Sequence, residues 1–335
     1  MAEAPTAPAI VEAAVSQLEL DNLNKGEIHR LAVKLVTNEL GQPMHLPVLV
    51  AKGVDEGPIV GLTAAVHGNE LNGIPVIHRL VHGLDPDEMQ GTIVAVPVVN
   101  IPGYRQKRRE FSDGSDLNRL MPGKPAGTEA EAYAASFVNA VVRPLDYLID
   151  LHTASFGRVN SLYVRADMRE DVTAKMARLV GAQIIVHNEG ADGTLRSAAD
   201  DLGIHAITVE VGDPNRFQRG LIRTSRSGIN AILQELGVLP SSEGDPEDEQ
   251  QVEDEEETVE CSRSYWMYTH AGGVLEVFPP VGRIIKEGAL IARIRSIYGD
   301  VVDEYRAPED GIVVAKSISP VASTGARILH LGVIA

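Results

Sequence analysis

The sequence predicts an α/β fold, a mixed central sheet with helices on both faces, followed by a small C-terminal all-β domain. Three observations carry this expectation. Between residues 26 and 240, apolar runs of strand length alternate with stretches of helical period. An acidic run over residues 241–260 then breaks the apolar pattern. From Tyr265 onward the runs become short and are separated by Gly-containing turns. The predicted organisation is a flexible lead (1–25), an α/β domain (26–240), an acidic disordered linker or loop (241–260) and a barrel-like β domain (261–335).

Period-two alternation gives two strands, Glu27 to Leu35 and Leu46 to Gly53, joined by a turn at Asn38 to Pro43. Asp55 to Pro58 reads as a turn before a buried strand, Ile59 to Val66. Asn72 to Gly83 is a helix with Ile74, Ile77, Leu80 and Val81 on one face, and His78 and His82 fall on its exposed surface. Gly91 to Asn100 is a buried strand, and Ile101 to Ser115 a long, Arg-rich loop of the functional kind. Thr128 opens a helix to Arg143 with a capping-box pattern. Leu145 to His152, Ser161 to Arg165, Gln183 to His187 and His205 to Val211 are further strands. Helices over Arg169 to Val180 and Arg226 to Leu236 complete the alternation, the second closed by Gly237. Such a sheet gathers ligands beyond the carboxyl ends of its strands. The acidic run carries no Lys or Arg and too little apolar surface to offset the entropy of ordering. In the C-terminal part, Ala307-Pro308-Glu309-Asp310-Gly311 resembles the turn of a lipoyl- or biotinyl-like barrel, but Lys286 and Lys316 sit in strand-like contexts unlike an attachment lysine.

Composition bounds the function. A formal net charge of −17 argues against nucleic acid and anionic membrane surfaces as partners, although eleven of the acids crowd between Glu243 and Glu260. No apolar run is long enough to cross a bilayer. A single cysteine, Cys261, excludes an internal disulfide and a thiolate metal site, so any metal must use His and carboxylate. With an N-terminus that lacks a basic start and a long apolar core, it leads to the expectation of a cytoplasmic protein. Whether the chain forms a homo-oligomer is left open.

The chemistry starts at the end of the run Ile59 to Val66, which delivers His67 and Glu70. An imidazole nitrogen and a carboxylate oxygen suit zinc, and a catalytic zinc takes three protein ligands with one position for water. His152, at the end of a second apolar strand, supplies the third. The alternative is that His67 caps the strand and Glu70 begins a helix as a dipole-compatible acid. Asp150 shares a strand face with His152, where it either orients a ligand imidazole or another site group or is a simple strand acid. Glu210, ending a third apolar strand, is a candidate general base because a partly desolvated carboxylate has a raised pKa.

His67-Gly68-Asn69-Glu70, Asp116-Leu117-Asn118-Arg119, Asp150-Leu151-His152-Thr153 and Val209-Glu210-Val211-Gly212 occur in that order. Together they resemble the succinylglutamate desuccinylase/aspartoacylase group of zinc amidohydrolases, which is related to the zinc carboxypeptidases. The resemblance covers about residues 45–235, and a weaker one covers the C-terminal part. It implies an M14-like zinc hydrolase domain with one Zn2+ per chain and a small N-acyl amino acid as substrate. Desuccinylase, aspartoacylase and N-acetyl-diaminobutyrate deacetylase activities all fall within it. The family's glutamate at the position of Glu210 is the base. Asn118 and Arg119 match its substrate-carboxylate pair, and Arg196 a second substrate arginine. The arginine that stabilises the tetrahedral oxyanion falls on Arg108 counting back from Asp116 and on Arg109 counting forward from Asn100. Arg108 is taken as catalytic and Arg109 as substrate-binding. Ala154-Ser155 departs from the Gly-Gly that many relatives carry, which changes the acyl pocket. Competing readings are a metallocarboxypeptidase acting on peptides and a non-catalytic ligand-binding relative.

Overall fold

The computed structural model describes residues 13–241 and 257–335. Nine strands form the α/β sheet, in the spatial order Ala13–Val15, Glu27–Thr37, Pro43–Lys52, Gln90–Val96, Asp55–Ala64, Tyr147–His152, His205–Val211, Leu162–Ala166 and Ile184–His187. Its centre is parallel: Asp55–Ala64 pairs in parallel with Gln90–Val96 and Tyr147–His152, and the latter with His205–Val211. Antiparallel pairs flank this centre on both sides, so the sheet is mixed. The central strands read as continuous apolar runs because both faces are covered.

One face packs on the helices Gly73–His82, Asp171–Leu179 and Arg219–Glu235, through a core that includes Ile77, Leu80, Met176, Ile222 and Ile229. The other packs on Glu129–Phe137 and Leu195–Asp200, through Tyr133, Phe137, Leu148, Leu195 and Ala198. The capping box at Thr128 is present: Glu131 N donates to Thr128 Oγ1 at 3.3 Å and Thr128 N donates to Glu131 Oε2 at 2.9 Å. That helix relaxes into a π-helical turn, Val138–Val142, instead of running unbroken to Arg143.

Four local expectations are corrected. Asp55 to Pro58 is not a turn but the start of the strand, joined across an irregularity between Asp55 and Ile59. The stretch after Asn100 opens with a short helix, Ile101–Gln106, whose start is capped by the Asn100 side chain on Gly103 N at 2.8 Å. The lead is tied down from Ala13, which pairs in parallel with Leu31, and Leu18 is buried; residues 1–12 lie outside the described residues. The acidic segment likewise falls mostly outside them, but its last residues, Val259 and Glu260, already belong to a strand.

That strand, Val259–Tyr268, runs parallel to Ile184–His187 and antiparallel to Arg327–Ile334. The α/β sheet therefore continues into the C-terminal strands Arg327–Ile334, Gly311–Ser317 and Ile284–Ile285. A separate four-stranded sheet faces them, in the order Val301–Arg306, Leu290–Arg295, Gly273–Val277, Val321–Ala322. Leu275, Ile291, Ile294, Val313, Ile328 and Leu329 fill the core of this small β domain.

Candidate active site

Three adjacent parallel strands bring the chemical side chains to one edge of the sheet. Pairing sets Ala64 beside Leu151, and His152 beside Glu210. Side chains two apart on a strand share a face. Asp150 and His152 therefore lie on one side with Thr208 and Glu210, while Leu151 and Val209 enter the core. The antiparallel strand Leu162–Ala166 adds Tyr163 beside Glu210 and Arg165 beside Thr208. Beyond Ala64 the chain turns sharply at Ala65, a buried residue with φ 50°, and presents His67 and Glu70 to the same place. Gly68 is required in this turn, because a Cβ there would overlap the Gly103–Tyr104 backbone of the short helix.

His67, Glu70 and His152 are buried, and one ligand atom from each lies within 4.8 Å of the other two. His152 Nδ1 is 2.8 Å from Glu70 Oε2, and its Nε2 is 2.7 Å from Asp150 Oδ2. His67 Nδ1 is 2.9 Å from Glu70 Oε1, and its Nε2 is 3.1 Å from Asp116 Oδ1. Each histidine thus turns one nitrogen to an outer carboxylate and the other inward. The outer carboxylates are themselves held, Asp150 by the Thr63 hydroxyl at 2.7 Å and Asp116 by Arg109 Nη2 at 2.9 Å. A carboxylate on Nε2 fixes that nitrogen as the N–H donor and leaves the Nδ1 lone pair free for a cation. His67 Nδ1 is buried without a hydrogen-bond partner, despite its nearness to Glu70. A buried polar atom left so carries a cost that ligation would remove. The donor set fits a divalent cation.

The same groups set one another's charge. Burial alone would raise the Glu70 carboxyl, but His67 and His152 outweigh it and hold Glu70 well below the usual carboxylate range. Burial pushes in the opposite direction on His152, where Asp150 and Glu70 prevail and raise it well above an ordinary imidazole. Glu70 also accepts from Thr153 N at 3.1 Å, Ser155 Oγ at 2.7 Å and Arg109 Nη1 at 3.1 Å. Glu210 differs in kind. Burial raises its carboxyl against the nearby Arg165, whose Nε lies 3.6 Å from Oε1, while Asn160 Nδ2 donates to Oε2 at 2.9 Å.

The arginines divide into groups. Arg109 reaches Glu70, Asp116 and Ser155, whereas Arg108 is exposed and does not line the pocket, so the expectation that made Arg108 the catalytic arginine is corrected. The reason is local: the helix Ile101–Gln106 ends at Lys107 in a left-handed conformation, φ 56°, which reverses the chain and turns the next side chain but one inward. Counting through an extended loop could not anticipate this. Asn118 Oδ1 accepts from Leu195 N at 2.7 Å, and this joins the Arg119 loop to the start of the helix that carries Arg196. Arg119 is exposed at the pocket wall, and Arg196 is buried with its guanidinium on Asn188. His67, Glu70, His152, Glu210, Asn118, Arg119, Arg196 and Arg109 all line one cavity of about 300 Å³.

Sequence reasoning passed over Tyr163, Arg165, Asn160, Arg158, Trp266 and Arg327, which line the same cavity. Tyr163 and Arg165 were detectable in principle, since they alternate on a strand whose other side is apolar. The last two come from the C-terminal strands, and no local signal ties them to the site.

Comparison with known proteins agrees with this geometry. The sequence profile of the Succinylglutamate desuccinylase/Aspartoacylase catalytic domain matches residues 56–236. An N-alpha-acetyl-L-2,4-diaminobutyric acid deacetylase of Halomonas elongata is 28% identical over 297 residues, 84% of each chain. A succinylglutamate desuccinylase of Pseudomonas fluorescens is 28% identical over 206 residues, 57% of this chain and 59% of that protein. Among solved structures, a succinylglutamate desuccinylase/aspartoacylase from Rhodobacter sphaeroides superposes with a TM-score of 0.82 at 24% identity, covering 95% of this chain and 98% of the other. The product-bound ectoine utilization protein EutE from Ruegeria pomeroyi gives 0.81 at 23% identity, with 92% and 96% covered. These two likenesses concern the fold. The profile match spans more than half of the chain and includes the strands that deliver His67, Glu70, His152 and Glu210, so the chain belongs to the succinylglutamate desuccinylase/aspartoacylase family.

Proposed function

We propose that this protein is a zinc-dependent amidohydrolase that cleaves the amide bond of a small N-acyl amino acid. The observation that carries the reading is the convergence of two carboxylate-backed imidazoles and one carboxylate beside a separate, buried Glu210. The N-acetyl-diaminobutyrate deacetylase and succinylglutamate desuccinylase activities named for the relatives mark the substrate range. Two imidazoles, one carboxylate and a water suit the tetrahedral preference of zinc better than the oxygen-rich shells of magnesium or calcium. His67, Glu70 and His152 would hold one such ion, which when bound acidifies a water and polarises the amide carbonyl.

In this reading Glu210 takes the proton of the attacking water and returns it to the leaving amine. A desolvated carboxylate with a raised pKa suits both halves of that task. Asn160 and Arg165 hold its two oxygens and fix its direction. Arg109, pinned by Glu70 and Asp116, presents a guanidinium for the developing oxyanion. Arg119 and Arg196, with Asn118 fastening their loops together, take the α-carboxylate. A guanidinium as buried as Arg196 without a carboxylate partner among the described residues suits an anionic ligand. A cytoplasmic location is part of the proposal, supported by the single, buried Cys261.

The test is metal analysis of the purified protein joined to an amine-release assay over N-acyl amino acids and dipeptides. Stoichiometric zinc and release from N-acyl amino acids are expected. Hydrolysis of dipeptides with none of N-acyl amino acids would move the assignment to a peptidase.

A further inference from the structure

Two rings in the cavity wall, Tyr163 and Trp266, come from distant parts of the chain, and both rest on a buried side chain behind the wall, His330. Tyr163 belongs to the strand Leu162–Ala166 and Trp266 to Val259–Tyr268. His330, on Arg327–Ile334, is the cross-strand neighbour of Trp266. Its imidazole stacks on the indole within 8° of parallel, with ring centres 5.2 Å apart. Against Tyr163 it stands edge to face, at 69° and 6.2 Å. Edge-to-face and stacked contacts are the arrangements that aromatic rings favour. The strands that bear Tyr163 and His330 are not neighbours, since Ile184–His187 and Val259–Tyr268 lie between them in the sheet. The sheet curls there around a small core that includes Ile184, Cys261, Ile312 and Val314, and His330 closes the contact across it.

An imidazole is a costly group to bury here. Nε2 lies 2.8 Å from Ser264 Oγ, but Nδ1 is buried without a hydrogen-bond partner, an orphan that Leu or Phe would not leave. Burial and the positive charges of Arg165 and Arg327 hold His330 well below the ordinary imidazole range, so the ring is neutral. What it supplies is a flat surface on both sides of which a ring can rest, with its rotation fixed by Ser264. From Tyr163 the line of contact continues to the chemistry. Tyr163 is the cross-strand neighbour of Glu210, and its hydroxyl accepts from Arg165 Nη2 at 2.6 Å. Arg165 Nε in turn lies 3.6 Å from Glu210 Oε1.

We infer that His330 is a positioning residue, a plate between Trp266 and Tyr163 that locks the wall supplied by the C-terminal strands to the strand that orients Glu210. It acts only through the two rings it touches. The inference rests on the proposed hydrolysis, in which Glu210 is the base, and makes turnover depend on a side chain of the β domain.

The test compares His330→Leu with His330→Phe. Both remove the orphan nitrogen and keep the space filled, so both should fold, but only Phe keeps a flat ring. Should Leu not be accommodated, His330→Met, flexible enough to fit the same space, takes its place. Trp266 is the single tryptophan of the chain, so its emission maximum and anisotropy report the plate without any substrate. In His330→Leu the emission should shift and the anisotropy fall. Its kcat on the N-acyl amino acid that the native enzyme hydrolyses best should drop about tenfold while KM stays within about threefold. His330→Phe should restore the emission and bring kcat back to within about threefold of native. A side chain that only fills the core would leave kcat native in the Leu variant, so that result, whatever the emission, would overturn the inference. So would a Phe variant as slow as the Leu variant, which would assign the role to the imidazole nitrogens. The expected emission changes in a protein that hydrolyses no N-acyl amino acid would uphold the plate and refute the deacylase.

Discussion

At the scale of single residues, the site separates two jobs that chemically similar groups perform. Glu70 is surrounded by imidazoles and donors that hold it ionised, whereas at Glu210 burial outweighs Arg165 and the nearby imidazoles and raises the carboxyl. Glu210→Gln should lower turnover by about a hundredfold or more while metal content, measured by elemental analysis, stays at the native level. As the proposed base, Glu210 must be ionised to work, so activity should be present above its folded pKa and lost as pH falls through it. Because that value is raised, the acid limb of the kcat/KM profile should lie above the ordinary carboxylate value of 4.5. A limb at or below 4.5 would assign the base to another group. In the proposed metal site Asp150 would act through His152, and Asp150→Asn would remove the charge that makes the proposed ligand nitrogen a stronger donor. Zinc affinity, followed by chelator competition, should weaken by about ten- to a hundredfold.

At the scale of elements, close backbone approach fixes where those residues point. The turn after Ala64 presses on the helix Ile101–Gln106 at Gly68, and the same helix, through its left-handed end at Lys107, delivers Arg109 to Glu70. Gly68→Ala must push the two segments apart. A loss of about 1–3 kcal/mol in urea unfolding is expected, with a fall in kcat from the displaced Arg109. The capping box at Thr128 is the contrasting case, remote from the chemistry. Thr128→Ala should cost about 1 kcal/mol and leave kcat/KM within twofold, a ratio that steady-state assay will check.

At the scale of the whole molecule, the α/β sheet does not end where the α/β chain segment ends. Val259–Tyr268 hydrogen-bonds to Ile184–His187 on one side and to Arg327–Ile334 on the other, so the sheet runs without a break into the β domain. Trp266 and Arg327 then reach the cavity that the parallel strands open. Shared hydrogen bonding predicts shared stability. Unfolding followed by Trp266 fluorescence, which reports the β domain, should coincide with unfolding followed by far-UV circular dichroism, which is dominated by the α/β part. Two separated transitions would show that the junction is weak.

The order of the elements, the strand ends that carry His67, Glu70, His152 and Glu210, and the capping box at Thr128 were legible in the sequence. Each is a local pattern: an apolar run both of whose faces are buried, a polar residue at its carboxyl end, a Thr three residues before a Glu. The resemblance carried by four short motifs added Asn118, Arg119 and Arg196, which do reach the cavity. What the sequence did not decide was phase and partnership. Choosing between Arg108 and Arg109 required knowing that a short helix and a left-handed Lys107 lie between Asn100 and Asp116, a rotation of the chain that counting cannot register. The backing of His67 by Asp116 joins residues 49 positions apart, and that of Glu210 by Asn160 joins residues 50 apart. Trp266 and Arg327 enter the site only because one strand crosses from the β domain to the edge of the α/β sheet. Local sequence sets which side chains stand at strand ends; the three-dimensional pairing of strands sets which of them meet, because hydrogen bonds between strands are indifferent to how much chain separates them.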